Sequence, residues 1–280
     1  MAIRMIVSDL DGTLLDSAYR LSAANRTALR EAAAQGVRVL LATGRMFASA
    51  VRYAKELALD TPVISYNGGV VQEMDGTLLH ADFLAPKTAA RVLRYIFARG
   101  WYVQLYRLDG LFFAAEKAEA RFYRTASGVA GRAVGEEGLL ARTEGVPKLL
   151  VVADSPAHTA AILAEIAAAF PGEIAVMQSN PTYIEIVPAG VSKASAMLKV
   201  AADYGISAAE IMALGDSGND VAMLRAAGLG VAMGNAAPEV QKAADAVTAR
   251  ARRARVESFR RLLAPSLEAE DPTLPAGPGR

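Results

Sequence analysis

A chain of 280 residues is long enough for one large α/β domain or two modest ones, and length alone does not choose between them. Its 30 Lys and Arg stand against 29 Asp and Glu, a formal net charge of +1, so no global basic field recruits nucleic acid and no acidic excess marks a solvated, disordered chain. There is no cysteine and there are only two histidines, His80 and His158. Disulfides, thiolate nucleophiles and Cys-built zinc sites are excluded, and any metal site must use oxygen ligands, which points to magnesium, calcium or manganese.

The opening run MAIRMIVSDLDG is broken by Arg4 and ends in aspartates, so it reads as neither a signal peptide nor a membrane span, and a soluble, cytoplasmic protein is expected. Residues 3–8 read as a buried strand and 9–16 as the loop after it. Residues 22–35 read as a helix stopped by Gly36, 37–42 as a second buried strand, and Thr43-Gly44-Arg45 as the entry to a helix ending near residue 58. A third strand at 62–66 ends in Asn67-Gly68-Gly69. Strand and helix in alternation form the doubly wound pattern, with parallel pairing and helices on both faces.

The rhythm then changes. Residues 70–80 read as a hairpin around Asp75-Gly76, and Pro86 opens a helix that ends at Gly100. Strands are predicted at 102–106 and 111–114, a helix near 115–127, a strand at 148–153, a helix over 156–169, and strands at 174–179 and 183–187. From Ser192 the strand–helix alternation resumes: a helix to about 204, a strand at 211–214, a helix to 227, a strand at 230–233, a helix holding 240–244 and a last short strand at 246–248. The fold class is therefore α/β: a doubly wound parallel-sheet core, residues 1–83 and 189–264, interrupted by an inserted α+β domain, residues 84–188. Residues 265–280 carry four prolines in sixteen residues and are expected to be disordered. The arginines at 250, 252, 253, 255, 260 and 261 read as the wet face of a helix, since no aromatic residues interleave with them to stack bases.

Asp9 and Asp11, in SDLDGTLLD, leave the C-terminal end of the first strand, the edge at which open α/β sheets bind ligands. Two carboxylates at this spacing reach one site only if the chain turns between them, and Gly12 supplies that freedom. One carboxylate can attack phosphorus while the other handles the leaving-group proton; taken alone, an Asx turn explains the pair equally well. Asp216 and Asp220, in GDSGND, lie at the same edge after another strand. Four carboxylates cannot converge there without a cation or proton to relieve their repulsion, and Mg²⁺ is the economical choice. Thr43 offers a hydroxyl beside the Gly44 and Arg45 amides at a helix start, and Lys193 an ammonium at the start of the helix after the insertion; both suit a phosphate, and taken alone they also read as an N-cap hydroxyl and a surface lysine respectively. Arg45 suits either an anionic part of the substrate or a surface salt bridge. By contrast, Asp75 sits mid-hairpin and reads as a plain turn.

These residues place the chain by resemblance. DLDGTL (9–14), ATGR (42–45), VSK (191–193) and GDSGND (215–220), in this order, resemble the haloacid dehalogenase-like superfamily of aspartyl-phosphate phosphatases, in its Cof-type branch (subclass IIB) with a Rossmann-like core and a large inserted cap. Asn67-Gly68, IEIVPAGVSK and VAMGNAAPEV support the likeness, which covers about residues 3–248. The resemblance implies that Asp9 is the nucleophile and Asp11 the general acid and then base. It implies that Thr43 and Lys193 bind phosphate and that Asn219 faces phosphate or substrate. Mg²⁺ would be held by Asp9, Asp216 and the backbone carbonyl of Asp11, with Asp220 supporting or joining them. The partner expected is a small phosphorylated metabolite, of the sugar phosphate, flavin mononucleotide or pyridoxal phosphate kind, and not nucleic acid or membrane; monomer and homodimer are left equally open. A phosphomutase and a non-catalytic phosphometabolite sensor are the alternatives. Tyr106, Phe112, Tyr123 and Tyr183 are candidates either for the pocket wall or for the cap core. Two positions depart from the family pattern: Ala194 stands where a glycine is usual, and the Arg-rich stretch after Thr248 replaces an Asn-x-x-x-Gly-Val segment.

Overall fold

Four residues in a row, Met-Ile-Val-Ser, are buried on both faces as strand β1 (Met5–Ser8), which is why the segment is uniformly apolar instead of alternating. In the computed structural model, which describes residues 2–248, β1 is the hub of an eight-stranded sheet. Helix α1 (Ala23–Ala34) starts at Ser22, whose hydroxyl accepts from the Asn25 amide, and strand β2 (Arg38–Ala42) follows after Gly36 at φ +86°. Helix α2 (Phe47–Leu57) and strand β3 (Val63–Ser65) come next, and the antiparallel hairpin β4 (Val70–Gln72) and β5 (Leu78–Ala81) completes this side of the sheet. As expected, Asp75 caps the hairpin turn by accepting from the Thr77 amide.

A second sheet holds helix α3 (Pro86–Phe97), strands β6 (Tyr102–Arg107) and β7 (Gly110–Phe113), helix α4 (Ala118–Ser127), strand β8 (Arg132–Ala133), helix α5 (Gly135–Leu140), strand β9 (Lys148–Val152), helix α6 (Pro156–Ala169), and strands β10 (Ile174–Asn180) and β11 (Tyr183–Pro188). Its strand order is β10-β11-β9-β6-β7-β8. The chain then returns to the first sheet through α7 (Lys193–Asp203), β12 (Ile211–Gly215), α8 (Val221–Ala226), β13 (Leu229–Ala232), α9 (Pro238–Gln241) and β14 (Ala246–Val247). The first sheet runs β14-β13-β12-β1-β2-β3-β4-β5, parallel from β14 to β3.

Three expectations change in detail. The strand β8 and helix α5 were not predicted, because two strand residues and a GEEGLL helix with one fully buried side chain, Leu139, carry no readable period. The helix expected over 240–244 is the shorter Pro238–Gln241. Between α7 and β12, where no helix was expected, Ser207 and Glu210 form a capping box with both arms over a single 3₁₀ turn. The proline-rich residues 265–280 and the arginines at 250–261 lie outside the described residues, as does the side chain of Tyr123.

Alternate residues of the central strands feed two apolar layers. Ile6 and Leu41 pack with Leu29 and Leu57 of α1 and α2, while Met5, Val7 and Leu40 pack with Met197 and Val200 of α7. A third cluster, including Leu93, Val103, Val151 and Ile186, fills the space between the second sheet and its helices. Met46 and Tyr66 of the first sheet's loops and Val70 of β4 meet Tyr102, Tyr106 and Leu111 of the second, with the Tyr66 and Tyr106 rings edge to face at 6.3 Å. Among the described residues no helix is long and apolar enough to cross a membrane.

The register sets the site. Ser8 pairs with Leu41 on one side and Leu214 on the other, so Asp9, Thr43 and Asp216 all leave the sheet at one edge. Beside them, Gly68 has φ +95°, and a Cβ added there would overlap the Ser192 carbonyl oxygen at the start of α7. Gly76, at φ +93° in the hairpin, meets only the Phe47 ring at 3.9 Å. Gly68→Ala is therefore expected to lower unfolding stability by about 3 kcal/mol, and Gly76→Ala by about 1 kcal/mol from backbone strain alone. Thermal unfolding of the two variants checks this; equal losses would mean that the close approach of Gly68 to α7 carries no weight.

Candidate active site

Leaving β1, the chain turns sharply at Gly12, φ +78°, where a Cβ would collide with the Asp216 carboxylate. This turn separates the two aspartates. Asp9 stays nearly buried, at 4% exposure, and its Oδ1 accepts from the Lys193 ammonium at 2.6 Å. Asp11 points elsewhere: its carboxylate takes two hydrogen bonds from the Arg45 guanidinium, Nε at 2.7 Å and Nη2 at 2.6 Å.

Lys193, the first residue of α7, is wholly buried. Its Nζ also donates to Asp220 Oδ1 at 2.7 Å, so one ammonium bridges carboxylates from the ends of β1 and β12. Burial alone would push this lysine down, but the charges of Asp220 and Asp9 outweigh it and hold the ammonium above the usual lysine range. Asp220 spends its other oxygen on the Asp216 and Ser217 amides, at 3.0 and 3.1 Å. Asp216 is steadied by the Thr13 hydroxyl at 3.1 Å and the Asn235 amide at 3.3 Å.

The carboxylates of Asp9, Asp216 and Asp220 each bring an oxygen within 4.8 Å of the others. Burial pushes the Asp9 carboxyl well above its usual range, and Asp220, Asp216 and Asp11 add to this while Lys193 opposes it. Burial and then Asp220 raise Asp216 to about 7. Among the described residues, three carboxylates face one ammonium, leaving a formal excess of two negative charges. A divalent cation with an all-oxygen donor set matches that excess, and Mg²⁺ fits this chemistry. Neither histidine competes, since His80 pairs with Asp203 and His158 with Asp154. Asp11 does not join the cluster through its carboxylate, which leaves only its carbonyl for the role expected of it.

Thr43 is buried at the end of β2, and its hydroxyl accepts from the Arg45 amide at 3.1 Å. Of the two roles open to Arg45, the structure shows a salt bridge, though a buried one: its guanidinium, 7% exposed, pairs with Asp11, donates to Ser49, and lies over the Tyr19 and Tyr53 rings, while the residue also lines the cavity. Asn219 lines the pocket and donates to Asn67 Oδ1 at 2.9 Å. Tyr66 and Asn67 both adopt left-handed backbone, φ +51° and +57°, a strain that tyrosine pays more heavily than asparagine. The strain delivers Asn67 to the site with its Nδ2 buried and unpartnered.

Thr13, Asn67 and Asn235 were not singled out as site residues. The threonine of DLDGT, the Asn-Gly after β3 and the asparagine of VAMGN each follow a strand at the binding edge, and each stands in a stretch that carried or supported the family resemblance without being given a role. A cavity of about 1290 Å³ opens between the two sheets, reaching from Asp9 and Thr43 to Lys148, Gln178, Tyr183 and Glu185. Of the aromatic candidates, Tyr183 lines it, while Tyr106 and Phe112 are buried in apolar clusters. Ala194, the departure from the family's glycine, packs against the apolar layer under α7.

A family profile described as haloacid dehalogenase-like hydrolase matches residues 6–256. The chain belongs to that family. Within the haloacid dehalogenase-like hydrolases it stands on the Cof-type branch, and it is a phosphatase of that family. It is similar to phosphatase YwpJ of Bacillus subtilis, 29% identical over 88% of this chain and 94% of that protein. It is also similar to the 5-amino-6-(5-phospho-D-ribitylamino)uracil phosphatase YcsE of the same organism, 30% identical over 88% and 90%. A solved haloacid dehalogenase-like hydrolase from Bacteroides thetaiotaomicron superposes with a TM-score of 0.80 at 28% identity, covering 93% of this chain and 99% of that one.

Because Asp9 and Asp216 are both raised in the folded chain, their contribution to stability is fully present below their unfolded values and is lost as pH rises through their folded ones, about 7 for Asp216. Protons thus compete with the cation. Adding Mg²⁺ is expected to raise Tm by about 4 °C more at pH 8 than at pH 5.5. Thermal unfolding with Mg²⁺ or a chelator checks this, and an equal gain at both pH values would contradict it.

Proposed function

We propose that this phosphatase is a Mg²⁺-dependent phosphomonoester hydrolase that passes the phosphoryl group of a small metabolite through Asp9. The observation that carries the reading is the charge imbalance at Asp9, Asp216 and Asp220, where Lys193 is the one cation that bonds to the cluster among the described residues. Asp9 Oδ2 has no hydrogen-bond partner among the described residues, whereas Oδ1 is held by Lys193, so Asp9 is oriented with one oxygen available for attack. In the first step that oxygen bonds to phosphorus as the bond to the leaving oxygen breaks, and Asp11 donates a proton to the departing alkoxide. In the second, water attacks phosphorus, Asp11 takes its proton, and phosphate leaves with the Asp9 carboxylate restored.

Lys193 and the Thr43 hydroxyl face the phosphoryl oxygens, and the Asn67 and Asn219 amides flank them. Arg45 keeps Asp11 apart from Asp9, so two carboxylates two residues apart hold different roles. When bound at Asp9, Asp216 and the Asp11 carbonyl, with Asp220 behind, Mg²⁺ would supply positive charge that offsets the phosphoryl oxygens. The cavity suits a phosphorylated polyol or sugar, or a flavin mononucleotide or pyridoxal phosphate type of ligand. YcsE, by its name, takes a phosphorylated ribitylamino-uracil, a molecule of that size.

Phosphate release from a panel of such metabolites is the test. Release that requires Mg²⁺ and falls about 10³-fold or more in Asp9→Asn is expected. Turnover undiminished in Asp9→Asn would remove Asp9 as nucleophile. Binding of a metabolite with no release of phosphate by the wild type would replace the hydrolase with a sensor.

A further inference from the structure

A buried lysine of the second sheet reaches the first sheet's phosphate loop. Lys148, the first residue of β9, is 1% exposed, and its Nζ donates to the Gly44 carbonyl at 2.6 Å. The same Nζ lies 2.7 Å from Glu185 Oε2 on β11 and 4.2 Å from the centre of the Tyr106 ring. The other oxygen of Glu185 accepts from the Ser179 hydroxyl at 2.7 Å. The Gly44 carbonyl accepts a hydrogen bond from this ammonium, Glu185 Oε2 pairs with it as a charge without hydrogen-bond geometry, and the Tyr106 ring lies beside it. Lys148 thus reaches the phosphate loop from the wall of the cavity.

Its effect passes through one peptide plane. The Gly44–Arg45 peptide gives its oxygen to Lys148 and its N–H to Thr43 Oγ1 at 3.1 Å. Because that unit is planar, fixing the carbonyl fixes where the N–H points. A threonine hydroxyl that accepts an N–H keeps its own O–H to donate. The neighbouring carbonyls are used within the first sheet, Thr43 O by the Asn67 amide and Arg45 O by the Tyr66 amide, both at 3.0 Å. Gly44 O alone of the three is bonded across to the second sheet. A buried ion pair is also a poor device for stability, since an apolar pair of like volume does as well or better. That points to a use for the charge.

We propose that Lys148, locked by Glu185, is a positioning residue that aims the Thr43 hydroxyl at the phosphoryl group, making the inserted sheet a working part of the phosphate site. The proposal rests on Thr43 as a phosphate binder and deepens that reading. It differs from a leaving-group contact, because it acts on every phosphoester alike.

The test is binding of inorganic phosphate to the full chain with Mg²⁺, followed by calorimetry, with p-nitrophenyl phosphate for kinetics. Lys148→Met alone strands Glu185, so the working variant is Lys148→Met with Glu185→Gln, which leaves no unpaired charge. Thr43→Val is measured by itself and combined with that pair. Expected is a loss of phosphate affinity of about tenfold in the paired variant and again in Thr43→Val, with no further loss when all three are combined. KM for p-nitrophenyl phosphate should rise while kcat stays near wild type, as for an interaction made equally in ground and transition states. A folded paired variant with unchanged phosphate affinity, or losses that multiply when combined, would overturn the role of Lys148 and leave Thr43 intact. If Thr43→Val itself binds phosphate as well as wild type, the reading of Thr43 fails first and the proposal with it.

Discussion

One ammonium holds this site together. Lys193 lies 184 residues from Asp9 and 27 from Asp220, yet bonds both, tying the start of α7 to the ends of β1 and β12. Its burial is tolerable only because two carboxylates surround it, and their burial only because it sits between them. Asp216 adds a third negative charge that the lysine does not cover. The site's own residues thus leave it under-neutralised, and a divalent cation is the simplest partner that completes it.

The second constraint is separation. Asp9 and Asp11 are neighbours in sequence, but the turn at Gly12 and the fork of Arg45 give them unlike surroundings, one buried against a lysine and the other half-exposed against a guanidinium. Burial favours the neutral form of Asp9, so its anion depends on Lys193 and an added cation, and an Asp11 that donates a proton must first leave the Arg45 fork. The same Arg45 amide touches Thr43, and the carbonyl before it touches Lys148, so the short Thr43–Gly44–Arg45 loop links the phosphate site, the proton-transfer group and the second sheet.

Much of this is legible in the sequence. Parallel strands buried on both faces read as short apolar runs, and each functional loop follows one, so Asp9, Thr43 and Asp216 could be placed at one edge before any register was known. What stayed hidden depends on pairing between distant residues. The partner of Arg45 is Asp11, 34 residues away, and that pairing is a matter of side-chain direction. Lys148 and Glu185 meet because β9 and β11 are adjacent and in a register that no local pattern encodes. Helix α5 was missed because six residues with two glycines carry too little periodicity to read.

Titration of Mg²⁺ into the metal-free chain by calorimetry tests the charge balance most directly, with Asp216→Asn as the comparison. One Mg²⁺ per chain is expected in the wild type, with affinity at least about tenfold weaker in Asp216→Asn, since that change removes one of the two excess charges. A folded wild-type chain that takes up no Mg²⁺, or an Asp216→Asn variant that binds it equally well, would contradict the account.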